Sequence, residues 1–318
     1  SYQASINSDL EQLALTLPEP YNKALSHQLP LTLSINGDSD NSVFNVSLGE
    51  VLKFYGELVH DKVYFSRSHL MLGDEQMLVP TQGFYITTAL NNVVFNPWFD
   101  LVNDIVTSLP ETDENGTALL SDPERIRGDI KQVTLYGQKL TDVSFNLLNQ
   151  PEWWLLEIDA DQARGQAKFH HDWLQQGLEI NAKQLHIGDR DRISKAENKD
   201  PNKKQPEKVI PAPVTQEQAN AIFATMVPVK FNCASCRFEN IEFGQLNFQI
   251  SKKTEQQLVL DHFVARKGKT QLSLNGRWQI FDESNVTTLA GKFFSDDIEQ
   301  DLRSMGFDSI IRDSGASI

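Results

Sequence analysis

The stretch from Cys233 to Ile280 restricts the fold most, because its apolar residues alternate. Leu246, Phe248 and Ile250 alternate with Asn247 and Gln249, Leu258 and Leu260 with Val259 and Asp261, and Leu272 and Leu274 with Ser273 and Asn275. A period of two belongs to a strand with one dry face and one wet face. Lys252-Lys253-Thr254-Glu255 and Lys267-Gly268-Lys269 fall between the runs and suit turns. The pattern predicts a meander of antiparallel strands.

The same signal recurs upstream. Residues 1–30 are polar with scattered Leu, and Pro18 and Pro20 favour an extended connector. Strands are expected at Leu31–Ile35, Val43–Leu48, Leu52–Leu58, Lys62–Leu72 and Phe84–Phe95. From Pro97 the apolar spacing becomes helical, which predicts a short helix to about Leu109, capped by Asn96. Glu111–Gly116 reads as a polar loop. A second meander follows over Ile130–Leu135, Leu140–Leu147, Trp153–Ile158, Gly165–Phe169 and Leu178–Ile187. Residues 189–213 have almost no large apolar side chain and read as a mobile polar loop. A helix capped by Thr215 is expected to about Met226, a strand at Thr287–Phe294, and a last helix over about Asp297–Met305.

Segments repeat at an offset of roughly a hundred residues. Leu140–Phe145, Trp154–Ile158 and Ala167–Trp173 match Phe243–Phe248, Leu258–His262 and Leu272–Trp278. A weaker echo links Ile86–Leu90 and the following helix to Val286–Ala290 and the helix after it. The expected division is therefore 1–110 and 111–188 as two meander units, the loop 189–213, and 214–318 as a third unit. Such units stack to bury a continuous face.

Composition excludes some classes. With a formal net charge of −14 over 318 residues, the chain lacks the basic surface that nucleic acid requires. Any contact with lipid has to be apolar rather than charge-driven. No run approaches the roughly 20 apolar residues that span a bilayer. Beginning at Ser1 without Met, and ending after Gly315-Ala316-Ser317 as a new strand starts, the sequence reads as a piece of a longer chain.

The motifs that carry chemistry are few. Cys233-x-x-Cys236 suits a structural disulfide only where a turn or bulge brings the two together, because three extended steps span about 10 Å. Free buried thiols and a metal or redox role are the alternatives. His170-His171-Asp172 does not converge on a metal, since strand neighbours point to opposite faces. Asp38-Ser39-Asp40-Asn41 lacks the terminal Glu of a calcium loop and reads as a turn. No nucleophile elbow, P-loop, dinucleotide fingerprint or H-E-x-x-H occurs; paired carboxylates for glycoside hydrolysis stay open, though nothing in the sequence places two of them together. No catalytic residue, metal or cofactor is expected. Trp98, Trp154, Trp173 and Trp278 read as core residues. The dry face must still be covered, either by a second sheet in a sandwich or by acyl chains in an open trough; periodicity fits both.

The ordered set C-A-S-C-R-F, F-G-Q-L-N-F, L-V-L-D-H-F, L-S-L-N-G-R-W and L-A-G-K-F-F-S-D-D-I-E-Q-D-L-R-S-M-G-F resembles the YhdP family of AsmA-like envelope proteins. L-T-L-S-I-N-G-D-S-D and L-V-P-T-Q-G-F-Y-I-T-T-A-L resemble the preceding part of that family. The resemblance implies a mostly β fold, with meander units building a long twisted sheet curled into a U-shaped hydrophobic groove. It implies a Gram-negative periplasmic protein held in the inner membrane by an N-terminal helix outside this sequence, moving phospholipids toward the outer membrane without a chemical step. It also favours the Cys233–Cys236 disulfide, since the periplasm is oxidising. The residues expected to line such a groove are Phe145, Leu147, Leu156, Ile158, Leu246, Phe248, Ile250, Leu258, Leu260, Leu272 and Leu274. Asp261 and Ser273 are expected to face outward. The competing reading is a structural or interaction module of the envelope with a closed β core.

Overall fold

The computed structural model describes all residues except 75–78, 109–117, 136, 189–214, 240, 283, 305–315 and 318, and omits the side chains of 102–108, 302–304 and 316–317. The expected loops at 111–116 and 189–213 and the expected helix end at Met305 therefore lie outside the described residues. The protein is mostly β, with a few short helices. It divides into two compact units, Ser1–Asp161 and Gln162–Ile318.

The first unit holds β1 (Tyr2–Ser8), β2 (Leu31–Gly37), β3 (Asn41–Leu48), β4 (Leu52–Val59), β5 (Tyr64–Gly73) and β6 (Gly83–Val94). Helix α1 (Phe95–Ser108) follows, then β7 (Pro123–Leu135), β8 (Gln138–Asn149) and β9 (Trp153–Asp159). Each strand pairs with the next in sequence order. The second unit holds β10 (Ala163–His170), α2 (Trp173–Gln176), β11 (Leu178–Ile187), α3 (Gln216–Thr225) and β12 (Val229–Phe238). It continues with β13 (Ile241–Thr254), β14 (Gln257–Lys267), β15 (Thr270–Ile280), β16 (Asn285–Ser295), α4 (Ile298–Ser304) and β17 (Ala316–Ser317). Again each strand pairs with the next.

Most neighbours are antiparallel, as the alternation predicts, but three pairs are parallel: β5–β6, β6–β7 and β11–β12. A parallel neighbour needs a crossover rather than a hairpin. The stretches containing α1 and α3 supply two of these crossovers, and residues 74–82 supply the third.

The helix ends follow local chemistry. Thr215 caps α3 through a reciprocal box: the Gln218 amide donates to Thr215 Oγ1 at 3.2 Å, and the Thr215 amide donates to Gln218 Oε1 at 3.0 Å. Asp297 caps α4 by accepting from the Gln300 amide at 3.0 Å. Helix α1 starts at Phe95, so Asn96 lies inside its first turn instead of ahead of it. Val63, expected in a strand, sits in the β4–β5 turn with φ of 50°.

Residues 1–30 differ most from expectation. They contain β1, paired along its length with β2, followed by a folded pad instead of an extended connector. In the pad Leu15 bridges Lys23, and the buried Lys23 ammonium donates to the carbonyls of Leu13 and Ala24. Tyr21 donates to the Val51 carbonyl at 3.0 Å and meets the Trp98 ring edge-on at 5.4 Å. Burial pushes the Tyr21 hydroxyl up to about 12. Asp38–Asn41 is a turn closed by Asp38, whose carboxylate accepts from the Asp40 and Asn41 amides at 2.9 and 3.0 Å. Those two backbone bonds hold the Asp38 carboxyl below its ordinary range. Among the tryptophans, Trp98 and Trp278 pack against buried clusters as expected. Trp173 instead starts a four-residue helix with no buried residue and stands exposed.

Candidate functional site

The strand registers turn alternation into rows that run across the sheet. In the first unit one row takes a residue from every strand: Ile6, Leu33, Val46, Phe54, Leu70, Ile86, Ile126, Leu147 and Leu156. All nine are apolar. The adjoining row is Leu31, Leu48, Leu52, Leu72, Thr88, Gly128, Phe145 and Ile158. Gly128 is required there, since a Cβ would lie 2.2 Å from the Thr88 carbonyl oxygen. Phe145, Leu147, Leu156 and Ile158 therefore share one face, and two cross-strand pairs join them.

The second unit repeats the arrangement. One row is Ala167, Ile180, Phe231, Phe248, Phe263, Leu274 and Gly291; the next is Phe169, Leu178, Val229, Ile250, Leu260, Gly276 and Leu289. A third contains Ala182, Cys233, Leu246, Ala265, Leu272 and Phe293. The rings of Phe231 and Phe248 stack at 4.8 Å and 18°, and those of Phe248 and Phe263 at 6.4 Å and 17°. All seven residues expected from β13, β14 and β15 thus come together on one face.

Two bulges keep that face in phase. In β14 the register shifts between Leu260 and Phe263. Strict alternation from Leu258 and Leu260 would bring His262 and Val264 inward. The bulge returns Phe263 and Ala265 instead. Asp261 stands at the bulge and accepts from Ser251 Oγ at 2.6 Å, while Ser273 pairs with Val264 on the opposite face. In β12 the register steps from Cys233↔Leu246 to Cys236↔Gly244, so three residues on β12 oppose two on β13. Cys233 and Cys236 form a disulfide across this bulge, with Cα atoms 5.9 Å apart, and both are buried. This resolves the alternatives open at the motif: the bulge brings the pair into bonding range.

The opposite face is polar. Lys230 meets Glu179 at 3.2 Å, and this hydrogen bond holds the Glu179 carboxyl below its ordinary range. Lys267 does the same for Glu242 at 3.0 Å. Asn232 donates to Asn181 across β11–β12 at 3.0 Å. Lys252 stands in the register of the apolar face, opposite Leu258, and its ammonium meets Glu255 at 2.7 Å.

The apolar rows are not sealed. Of the eleven expected lining residues only Leu246 and Leu258 are buried; the other nine are half-buried. Exposure rises toward the outer strands, to 56% at Ile6 and 59% at Leu289. Coverage is local. In the first unit Trp98 of α1 packs on a cluster of Val93, Ile130, Val133, Val143 and Ala160. In the second, Ala219 and Phe223 of α3 pack on Leu258 and Ile280. Leu258 therefore lies on the expected face but beneath a helix, which the strand pattern gives no means to foresee. Among the described residues, no three His, Cys, Asp or Glu side chains gather into a metal-binding group. No helix among the described residues is long and apolar enough to cross a membrane.

These features define a class: a β protein that builds wide single-sheet faces, apolar on one side and polar on the other, with the apolar side only partly buried. The model of the YhdP family, described as YhdP protein, matches residues 1–318. The chain belongs to the YhdP family. Searches of curated proteins and of solved structures return no match.

Proposed function

We propose that this chain is a segment of a periplasmic lipid conduit, in which phospholipid acyl chains travel across the strands on the apolar rows while headgroups stay in water. The observation that carries the reading is the unbroken nine-residue apolar row of the first unit, which is half-buried along most of its length and never fully sealed. Strands lie about 4.8 Å apart, so nine of them offer a path of roughly 40 Å. One leaflet's hydrocarbon is about 15 Å deep, half the bilayer core. The row is therefore too long for one lipid to fill, which favours passage over storage. Leaving large apolar residues in water forfeits about 1.5–3 kcal/mol each, and acyl chains recover it. The protein performs no chemical step, is anchored in the inner membrane by a segment outside this sequence, and delivers toward the outer membrane.

The test is photo-crosslinking in cells with reactive residues at Leu260 and Leu272, and at Asp261 and Ser273 as outward controls. Phospholipid adducts are expected at the first pair only. Adducts at the controls alone would overturn the reading. Mass spectrometry of the purified chain adds an independent arm: absence of co-purifying phospholipid favours a structural module of the envelope.

A further inference from the structure

Helix α3 lies on sheet surface of the same chemistry as the open rows. Leu258 and Trp278 are cross-strand partners, two positions along the strands from Leu260 and Gly276 in the open row. Phe223 of α3 fills this end of the face: it is 2% exposed and meets the Trp278 ring edge-to-face at 4.8 Å. The helix has a narrow grip. Only Ala219 and Phe223, one turn apart, are buried; Met226 at the C-terminal end packs half-buried beside them, and Gln216 Nε2 donates to the Phe281 carbonyl at 2.9 Å. Its other side is polar or small, with Glu217, Asn220, Ala221 and Ala224 exposed. A helix attached by one aromatic anchor, seated where the sheet is otherwise bare, occupies a position that a hydrocarbon tail also fits.

We propose that α3 is a displaceable plug: Phe223 and an acyl chain compete for the Leu258–Trp278 surface, so the docked helix ends the lipid-accessible lane and its release widens it. This rests on the apolar face being a lipid path. A reversible competitor must bind a surface its rival also fits, through few contacts, and α3 meets both conditions.

The experiment uses the 318-residue chain with photoreactive palmitate as the probe and two readouts. A crosslinker at Phe248 reports the open lane, and one at Leu258 reports the surface beneath α3. Hydrogen exchange follows the α3 amides. The expected result is strong labelling at Phe248, labelling at Leu258 at least about tenfold weaker, and α3 amides that exchange several-fold faster when palmitate is added. Phe223→Ala is expected to bring labelling at Leu258 up to that at Phe248, with the β13–β15 amides still protected. Equal labelling at both positions in the unaltered protein overturns the plug, as does unchanged α3 exchange while Phe248 is labelled. Absence of palmitate binding overturns it too. If palmitate displaces α3 in solution while phospholipid never labels Leu260 or Leu272 in cells, the competition stands and the transport reading falls.

Discussion

Reducing the Cys233–Cys236 bridge should destabilise the second unit by about 2 kcal/mol. The bond closes a ring spanning a sequence separation of three. In chain-entropy terms, a ring of about four residues removes roughly 6 cal/mol/K from the unfolded ensemble, or about 2 kcal/mol at 25 °C. The bulge itself does not depend on the bond. Phe231↔Phe248 and Phe238↔Ile241 pair on either side of it, so the reduced protein should keep its fold. For a unit of this size, 2 kcal/mol corresponds to a fall in melting temperature of about 4–8 °C. Calorimetry of the oxidised and thiol-reduced protein measures the cross-link alone. The double variant C233A/C236A adds the lost packing of two buried sulfurs and should melt lower still. Hydrogen exchange locates the effect, which should be confined to the second unit. A melting temperature unchanged on reduction would refute the reasoning, as would a loss above about 4 kcal/mol or faster exchange spread into β2–β5.

Other consequences are local. Gly128→Ala should destabilise the first unit by about 1–3 kcal/mol, measured by urea unfolding, because the new methyl meets the Thr88 carbonyl and forces β6 from β7. Tyr21 should ionise later than a free tyrosine in an ultraviolet titration. Its hydroxyl stands at about 12 when folded against 10 when free. The stability it contributes is thus fully present below pH 10 and is lost as pH rises through 12. Phe248→Glu puts a charge into the stacked row of Phe231, Phe248 and Phe263; lipid labelling from Leu272 should fall at least about tenfold, the equivalent of 1.4 kcal/mol. Glu179→Gln removes the ionisable carboxylate whose charged form Lys230 favours. The variant should lose less stability than the parent as pH falls through the carboxylate range, followed by acid titration of the melting temperature.

Much of the face was legible in the sequence. The period of two in β13 and β15 placed Leu246, Phe248, Ile250, Leu272 and Leu274 together, because nothing interrupts their alternation. In β14 the signal was split: Leu258 and Leu260 share one phase, Phe263 and Ala265 the other. The three-residue step from Leu260 to Phe263 was the visible trace of the bulge. Parallel pairing was hidden, since parallel and antiparallel strands share one side-chain period; helices α1 and α3 within two of the crossovers were the only hint. In β1, Tyr2, Ala4 and Ile6 alternate too weakly among polar neighbours to stand out. The seat of Phe223 on Trp278 joins residues far apart in sequence, and no local pattern encodes it.

The pairing across each unit has one more consequence. Its hydrogen bonds point along the rows, from strand to strand, so on the lipid path proposed above a tail would meet backbone groups that are already paired. Each step resembles the last, and no single side chain is a bottleneck. Leu, Ile, Val and Phe are then nearly interchangeable at these positions, and exchanging one for another of similar volume usually changes stability by less than about 1.5 kcal/mol. A surface of this kind can drift through many sequences while still doing its work, so its signature lies in spacing instead of in any fixed set of letters.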